Sequence, residues 1–141
     1  MKLLALAMTF LFSATLFAQS PATEAVERLL TAGTYDGSNG SERCSVTIQA
    51  TQDSVTIAIT NKTKKDSFTL INASSSYKVN DNTGAVSAIL SLNYPRYING
   101  GTKILNIVPD DIDQVEFSLA QLLEDHQGND MSTYASCSVA K

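Results

Sequence analysis

The 141-residue chain has one histidine, two cysteines and no tryptophan, and its ten Lys and Arg residues are outnumbered by fourteen Asp and Glu. Each scarcity excludes a class of function. One histidine and two cysteines cannot supply a tetrahedral zinc site, which takes four ligands. The histidine, His126, lies in the polar stretch Glu124-Asp125-His126-Gln127-Gly128. Nothing in its spacing selects one of the many serines as a partner nucleophile, so a solvated surface role is expected and no serine triad. Basic residues are scattered, and Lys62, Lys64 and Lys65 form the one cluster. Binding of a phosphate backbone needs a concentrated basic face, so nucleic acid is not an expected partner and the cluster reads as a solvated hairpin turn. No apolar run reaches the roughly 20 residues of a spanning helix.

The apolar run from Leu3 to Phe12 belongs instead to a secretory leader, Met1 to Ala18, with Lys2 before it and small residues at a cut after Ala18 or Ser20. A single domain, residues 19–141, would remain, with no membrane span. No cysteine follows the cut, so a lipid anchor has no attachment point there. The short leader and its Phe-Ala-Gln-Ser junction have a bacterial character, which places the product in the periplasm or outside the cell. Sequons at Asn39, Asn61 and Asn72 would carry meaning only in a eukaryotic secretory route. Export puts Cys44 and Cys137 in an oxidising compartment, where a disulfide is expected; the alternative is two independent buried thiols.

Past the leader, Ala25, Val26, Leu29 and Leu30 fall at helical spacing between Pro21 and Ala32, with Thr23 as a cap candidate and Gly33 as a stop. From there the apolar period changes to two. Val55, Ile57 and Ile59 alternate with Thr56, Ala58 and Thr60 within Ser54–Asn61, the pattern of a strand with one buried face. Cys44, Val46 and Ile48 form its hairpin partner across the short Thr51-Gln52-Asp53 linker. Further strands are expected at Asp66 to Asn72, Ser75 to Asn80, Ala85 to Asn93 and Thr102 to Val108. The stretch from Asp110 to Gln127 fits a strand through Val115, Phe117 and Leu119, and a helix through Ile112, Val115, Leu119, Leu122 and Leu123. The β-prone Val-Glu-Phe core and a following strand-like run, Ser132 to Ala140, tip the reading to a strand.

About eight or nine short strands joined by hairpin turns read as an all-β antiparallel meander behind a short N-terminal helix. Closure into a small barrel removes sheet edges. A Cys44–Cys137 bond would bring the first and last strands together, since a disulfide needs Cα atoms within about 7 Å. Thr31-Ala32-Gly33-Thr34-Tyr35-Asp36-Gly37, after a short helix and opening the first strand, resembles the N-terminal strand of calycin-type barrels, the lipocalins and avidins. Those families usually place a tryptophan where this chain has Tyr35. The resemblance implies a small barrel and carries no ligand with it.

With the thiols paired and His126 alone, no catalytic set is indicated, no cofactor is implied, and the chain reads as a binding protein. Asp110, Asp111 and Asp113, and Asp36, Asn39 and Glu42, offer oxygen atoms of the kind calcium takes, but neither spacing matches an EF-hand loop and capping or turn roles explain them. In Tyr94-Pro95-Arg96-Tyr97-Ile98, Tyr94, Arg96 and Tyr97 have the chemistry of interface anchors beside a stiffening proline. Inward Val, Ile, Leu and Phe would line a narrow interior. Two readings follow: a barrel that takes a small apolar ligand in its interior or at its end, or a secreted interaction or inhibitor module acting through the loop Tyr94 to Ile98.

Overall fold

The computed structural model describes residues 21–71, 76–92, 100–110 and 113–141. The expected leader and the Tyr94, Arg96 and Tyr97 loop lie outside these residues. The helix α1, Pro21–Glu27, is followed by nine strands: β1 Gly33–Asn39, β2 Glu42–Ala50, β3 Ser54–Asn61, β4 Lys65–Ile71, β5 Ser76–Val79, β6 Val86–Ser91, β7 Thr102–Pro109, β8 Gln114–Leu122 and β9 Thr133–Ala140. The chain is thus nearly all-β, and its nine strands fall within the expected eight or nine. The helix ends earlier than the apolar spacing suggested. Val26 O accepts from both Leu29 N and Leu30 N, a shared acceptor that closes the last turn, and Leu29 and Leu30 still pack on the core.

Strand order is β4-β3-β2-β1-β9-β8-β7-β6-β5 in one curled, half-barrel sheet, and every ladder is antiparallel. Chain order is kept within each half, and the pairing of β1 with β9 joins the halves. Nine alternating strands leave the two edges, β4 and β5, running in the same direction. An antiparallel ladder therefore cannot close the seam between them, and they stand as the two ends of the sheet.

The alternation read in the sequence is realised in the core. Val55, Ile57 and Ile59 of β3 face Phe68 and Leu70 of β4, and Leu105, Ile107, Val115, Phe117 and Leu119 supply the other half; all are essentially inaccessible to solvent. The segment after Pro109 resolves as the strand β8, because Val115, Phe117 and Leu119 are buried whereas Leu122, which a helix would bury, is 48% exposed. At α1, Ala22, Thr23, Ala25 and Val26 are buried against β3 and β4, so Thr23 sits inside the helix and not at its cap.

Cys44 and Cys137 form a disulfide with their Cα atoms 5.8 Å apart. Cys44 lies on the second strand, not the first, so the bond steps over β1 from β2 to β9. Two sheet spacings amount to about 9.5 Å in a flat sheet. The shorter span means that the sheet folds sharply here, with Gly37 at the corner. Gly37 pairs with Cys44 on one side and Val139 on the other. A Cβ at this position would overlap the Ser138 carbonyl oxygen and stand 2.7 Å from Val139 Cγ1 and 3.0 Å from Cys137 Sγ. Only glycine lets the two halves approach so closely.

Candidate functional site

The two ends of the sheet differ in chemistry. At one end α1 packs on β3 and β4, and a Cβ on Gly84 of the β5–β6 turn would stand 3.5 Å from Leu29 Cδ2. At the other end the β3–β4 turn, the start of β7 and the β8–β9 hairpin come together, and here the inward register turns polar. Lys103 follows Leu105 and Ile107 on the inward face of β7 and pairs with Leu90 and Gln121. Its Nζ donates to Asp66 Oδ1 at 2.6 Å and to the Ser67 carbonyl oxygen at 2.8 Å. Both charged side chains are largely buried, at 16% and 21% exposure. One lysine thus bridges the open seam from β7 to β4 and occupies a carbonyl of that edge strand, which withdraws it from pairing with another chain.

A hollow of about 510 Å³ lies at this end, lined by Gly101, Thr102, Leu122, Leu123, Glu124, Gly128, Asp130 and Ser132. Its lining is mixed: two leucines, Leu122 and Leu123, stand beside Thr102, Glu124, Asp130 and Ser132. Gly101, at a φ of +134°, crosses so close to the end of β8 that a Cβ there would overlap Leu123 Cδ2. The backbone approach that this glycine permits brings the residue before β7 against Leu122 and Leu123.

The rim is a loop held by its own carboxylates. Asp125 Oδ1 accepts from the backbone N–H groups of Gln127 and Asn129, each at 2.8 Å, and Oδ2 accepts from Asn129 Nδ2 at 2.9 Å. Asp130 Oδ1 accepts from Ser132 N at 2.8 Å and from Ser132 Oγ. Donation from Asn129, first by its side chain, holds Asp125 below the usual carboxylate value of 3.8, and donation from Ser132 does the same for Asp130. These acids build the loop, and Ser132 Oγ is turned to Asp130, not toward His126, which is exposed on the same loop.

A second hollow of about 260 Å³ lies on the other side of the hairpin, lined by Lys64, Lys65, Asp66, Gln121, Thr133, Tyr134 and Ala135. Asn61 Oδ1 fixes the β3–β4 turn by accepting from Lys64 N at 2.7 Å and Thr63 N at 3.2 Å. The turn folds over the barrel end, and Lys64 Nζ donates to the Tyr134 carbonyl oxygen at 3.4 Å. The lysine cluster is exposed at the β3–β4 turn as expected, and two of its members, Lys64 and Lys65, border this hollow.

Among the described residues no three His, Cys, Asp or Glu side chains gather to hold a metal ion. Asp36 and Asn39 lie on β1 and Glu42 on β2, so these three residues belong to a hairpin of paired strands. Comparison with protein families, with curated proteins and with solved structures gives no match. The resemblance to calycin-type barrels accordingly rests on the opening strand alone, where Tyr35 packs against the core and its hydroxyl donates to the Thr31 carbonyl oxygen at 2.8 Å.

Leu122, Leu123 and Gly101 were not singled out by sequence reasoning. The signals that could have found them are the Gly100-Gly101 pair before β7 and the break in alternation at Leu122-Leu123. Lys103, standing in the inward register of Leu105 and Ile107, marks the polar end in the same way.

Proposed function

We propose that this is an exported, non-enzymatic binding protein that takes a small, largely apolar ligand at the end of its half-barrel. The disulfide fits an oxidising, extracytoplasmic compartment. A periplasmic or secreted location follows from the leader reading. The observation that carries the binding reading is the larger hollow, which opens to solvent and sets Leu122 and Leu123 beside Thr102, Glu124, Asp130 and Ser132, while the interior is filled by Phe68, Phe117 and branched aliphatic side chains. Its volume falls in the range of about 300 to 1,000 Å³ typical of small-molecule sites, and its two leucines offer an apolar ligand a contact between polar groups. The ligand sits at the end and not deep inside.

The test is titration with a neutral fluorescent apolar probe, N-phenyl-1-naphthylamine. Saturable enhancement that Leu122→Asp and Gly101→Leu reduce about tenfold supports the proposal. Binding unchanged by both variants, or no saturable binding, contradicts it.

An interaction module is the second reading, and one observation favours it. Ile89, Ile104, Ala120 and Tyr134 stand in register across β6, β7, β8 and β9 on the outer face, with Ile89 49% and Tyr134 55% exposed. An apolar row of this kind, exposed at both ends and half-buried between, is a surface that protein-binding faces use.

A further inference from the structure

We propose that the smaller hollow, between the β3–β4 turn and the β8–β9 hairpin, is a binding site for a small oxyanion, a phosphate or carboxylate group. Lys64, Lys65 and Asp66 come from one side of it and Gln121 and Thr133 from the other. Asp66, the one carboxylate in that lining, already accepts from Lys103 Nζ at 2.6 Å. Around the hollow three ammonium groups therefore stand against one carboxylate, an excess of two positive charges in a chain whose formal net charge is −4. A like-signed excess in a recess focuses the field and raises the local concentration of counter-ions.

The arrangement is built to hold that excess in place. Two N–H groups of the lysine turn bond to Asn61 Oδ1, and Lys64 Nζ reaches a carbonyl 70 residues further along the chain. A carbonyl does not neutralise an ammonium, and a lysine so placed keeps hydrogens to donate to an anion. Gln121 and Thr133 are directly paired on β8 and β9 in the inward register, and they offer the neutral donors that a carboxylate or phosphate oxygen accepts from. Glu124 and Asp130 belong to the larger hollow on the opposite side of the hairpin, so the two sites differ in charge as well as in lining.

The experiment is an NMR titration of the mature, disulfide-bonded protein with sodium phosphate and, separately, sodium acetate, at constant ionic strength set with sodium chloride. The proposal expects saturable shifts at the amides of Lys65, Gln121 and Thr133. Lys64→Ala and Lys65→Ala should each weaken binding about fivefold, and the double variant should remove saturation, with shifts elsewhere unchanged. Leu122→Asp, in the other hollow, should leave anion binding intact, so failure of this site and failure of the apolar site are separable. Octyl phosphate distinguishes the source of the anion. Affinity about tenfold above that of inorganic phosphate identifies the headgroup of a larger ligand, and equal affinity a free anion. Shifts that stay linear for both anions, or a double variant that binds like the parent, would overturn the proposal.

Discussion

Replacing Gly37 with alanine is the sharpest perturbation of the corner at which the two half-sheets meet. The added Cβ would overlap the Ser138 carbonyl oxygen and stand 2.7 Å from Val139 Cγ1. Carbon atoms in favourable contact lie about 3.5 to 4.0 Å apart, so Val139 must give by about 1 Å. The carbonyl is backbone, held in a ladder with β8 through the pairing of Ser138 with Glu116, and cannot rotate away as a side chain would. Overpacking of this kind costs about 1 to 3 kcal/mol, and the backbone clash places this case at the upper end. For a domain of this size, 3 kcal/mol corresponds to a fall in Tm of roughly 9 to 15 °C. Thermal unfolding followed by circular dichroism, with Gly40→Ala as a control, measures it. Gly40 has no atom within 4 Å of its Cβ position but a φ of +61°, so that variant bears only the left-handed backbone penalty of about 1 kcal/mol. A Gly37→Ala protein melting within about 2 °C of the parent would refute the corner geometry.

Other consequences are testable in the same preparation. Replacing both Cys44 and Cys137 with alanine releases a constraint on 93 residues of separation, which the chain-entropy model values at about 4 to 5 kcal/mol, and urea midpoints would register it. Lys103→Met should destabilise by about 2 to 3 kcal/mol by leaving Asp66 unpaired at the seam, whereas Lys103→Met with Asp66→Leu should recover most of that loss; a double variant as unstable as the single contradicts the bridge. Asp125 and Asp130 have lowered values in the folded loop, so the stabilisation they contribute is present above pH 3.8 and is lost as pH falls through the lowered values. The amide resonances of Gln127, Asn129 and Ser132 should therefore hold their positions to below pH 3.8 and move only under more acid conditions; movement centred above pH 4 would contradict the loop's hydrogen bonds. Phe117→Ala, which empties one of the largest buried sites, should cost about 3 to 5 kcal/mol.

Much of the strand content was legible because one face of each strand is buried and the other is not. Ser54–Asn61 shows this most clearly, since its Val55, Ile57 and Ile59 alternate with Thr56, Ala58 and Thr60 without a break. The ambiguity after Pro109 arose because Ile112, Val115, Leu119, Leu122 and Leu123 satisfy a helical period, and periodicity cannot show that Leu122 stays at the surface. Position across the sheet was less legible. Cys44 lies near the start of the β region, and periodicity does not show that its bond steps over a strand; Gly33–Asn39 stands between as the corner strand and contributes Gly37 where bulk is excluded. Strand parity, and with it the open seam, depends on counting that glycine-rich strand. The candidate site was hardly legible at all. Lys64 and Lys65 are turn residues by local criteria, and the hollow they border exists only because the β8–β9 hairpin lies across from them.

Native mass spectrometry of the protein recovered from its source without denaturation tests the central claim most directly, that this is an exported, crosslinked half-barrel that holds a ligand at its open end. The account predicts a chain beginning at Gln19 or Pro21, lighter by two hydrogens than after reduction, with a retained small molecule that Leu122→Asp protein lacks. A chain that keeps Met1 to Ala18 with two free thiols, or a bound molecule retained equally by the Leu122→Asp protein, would contradict it.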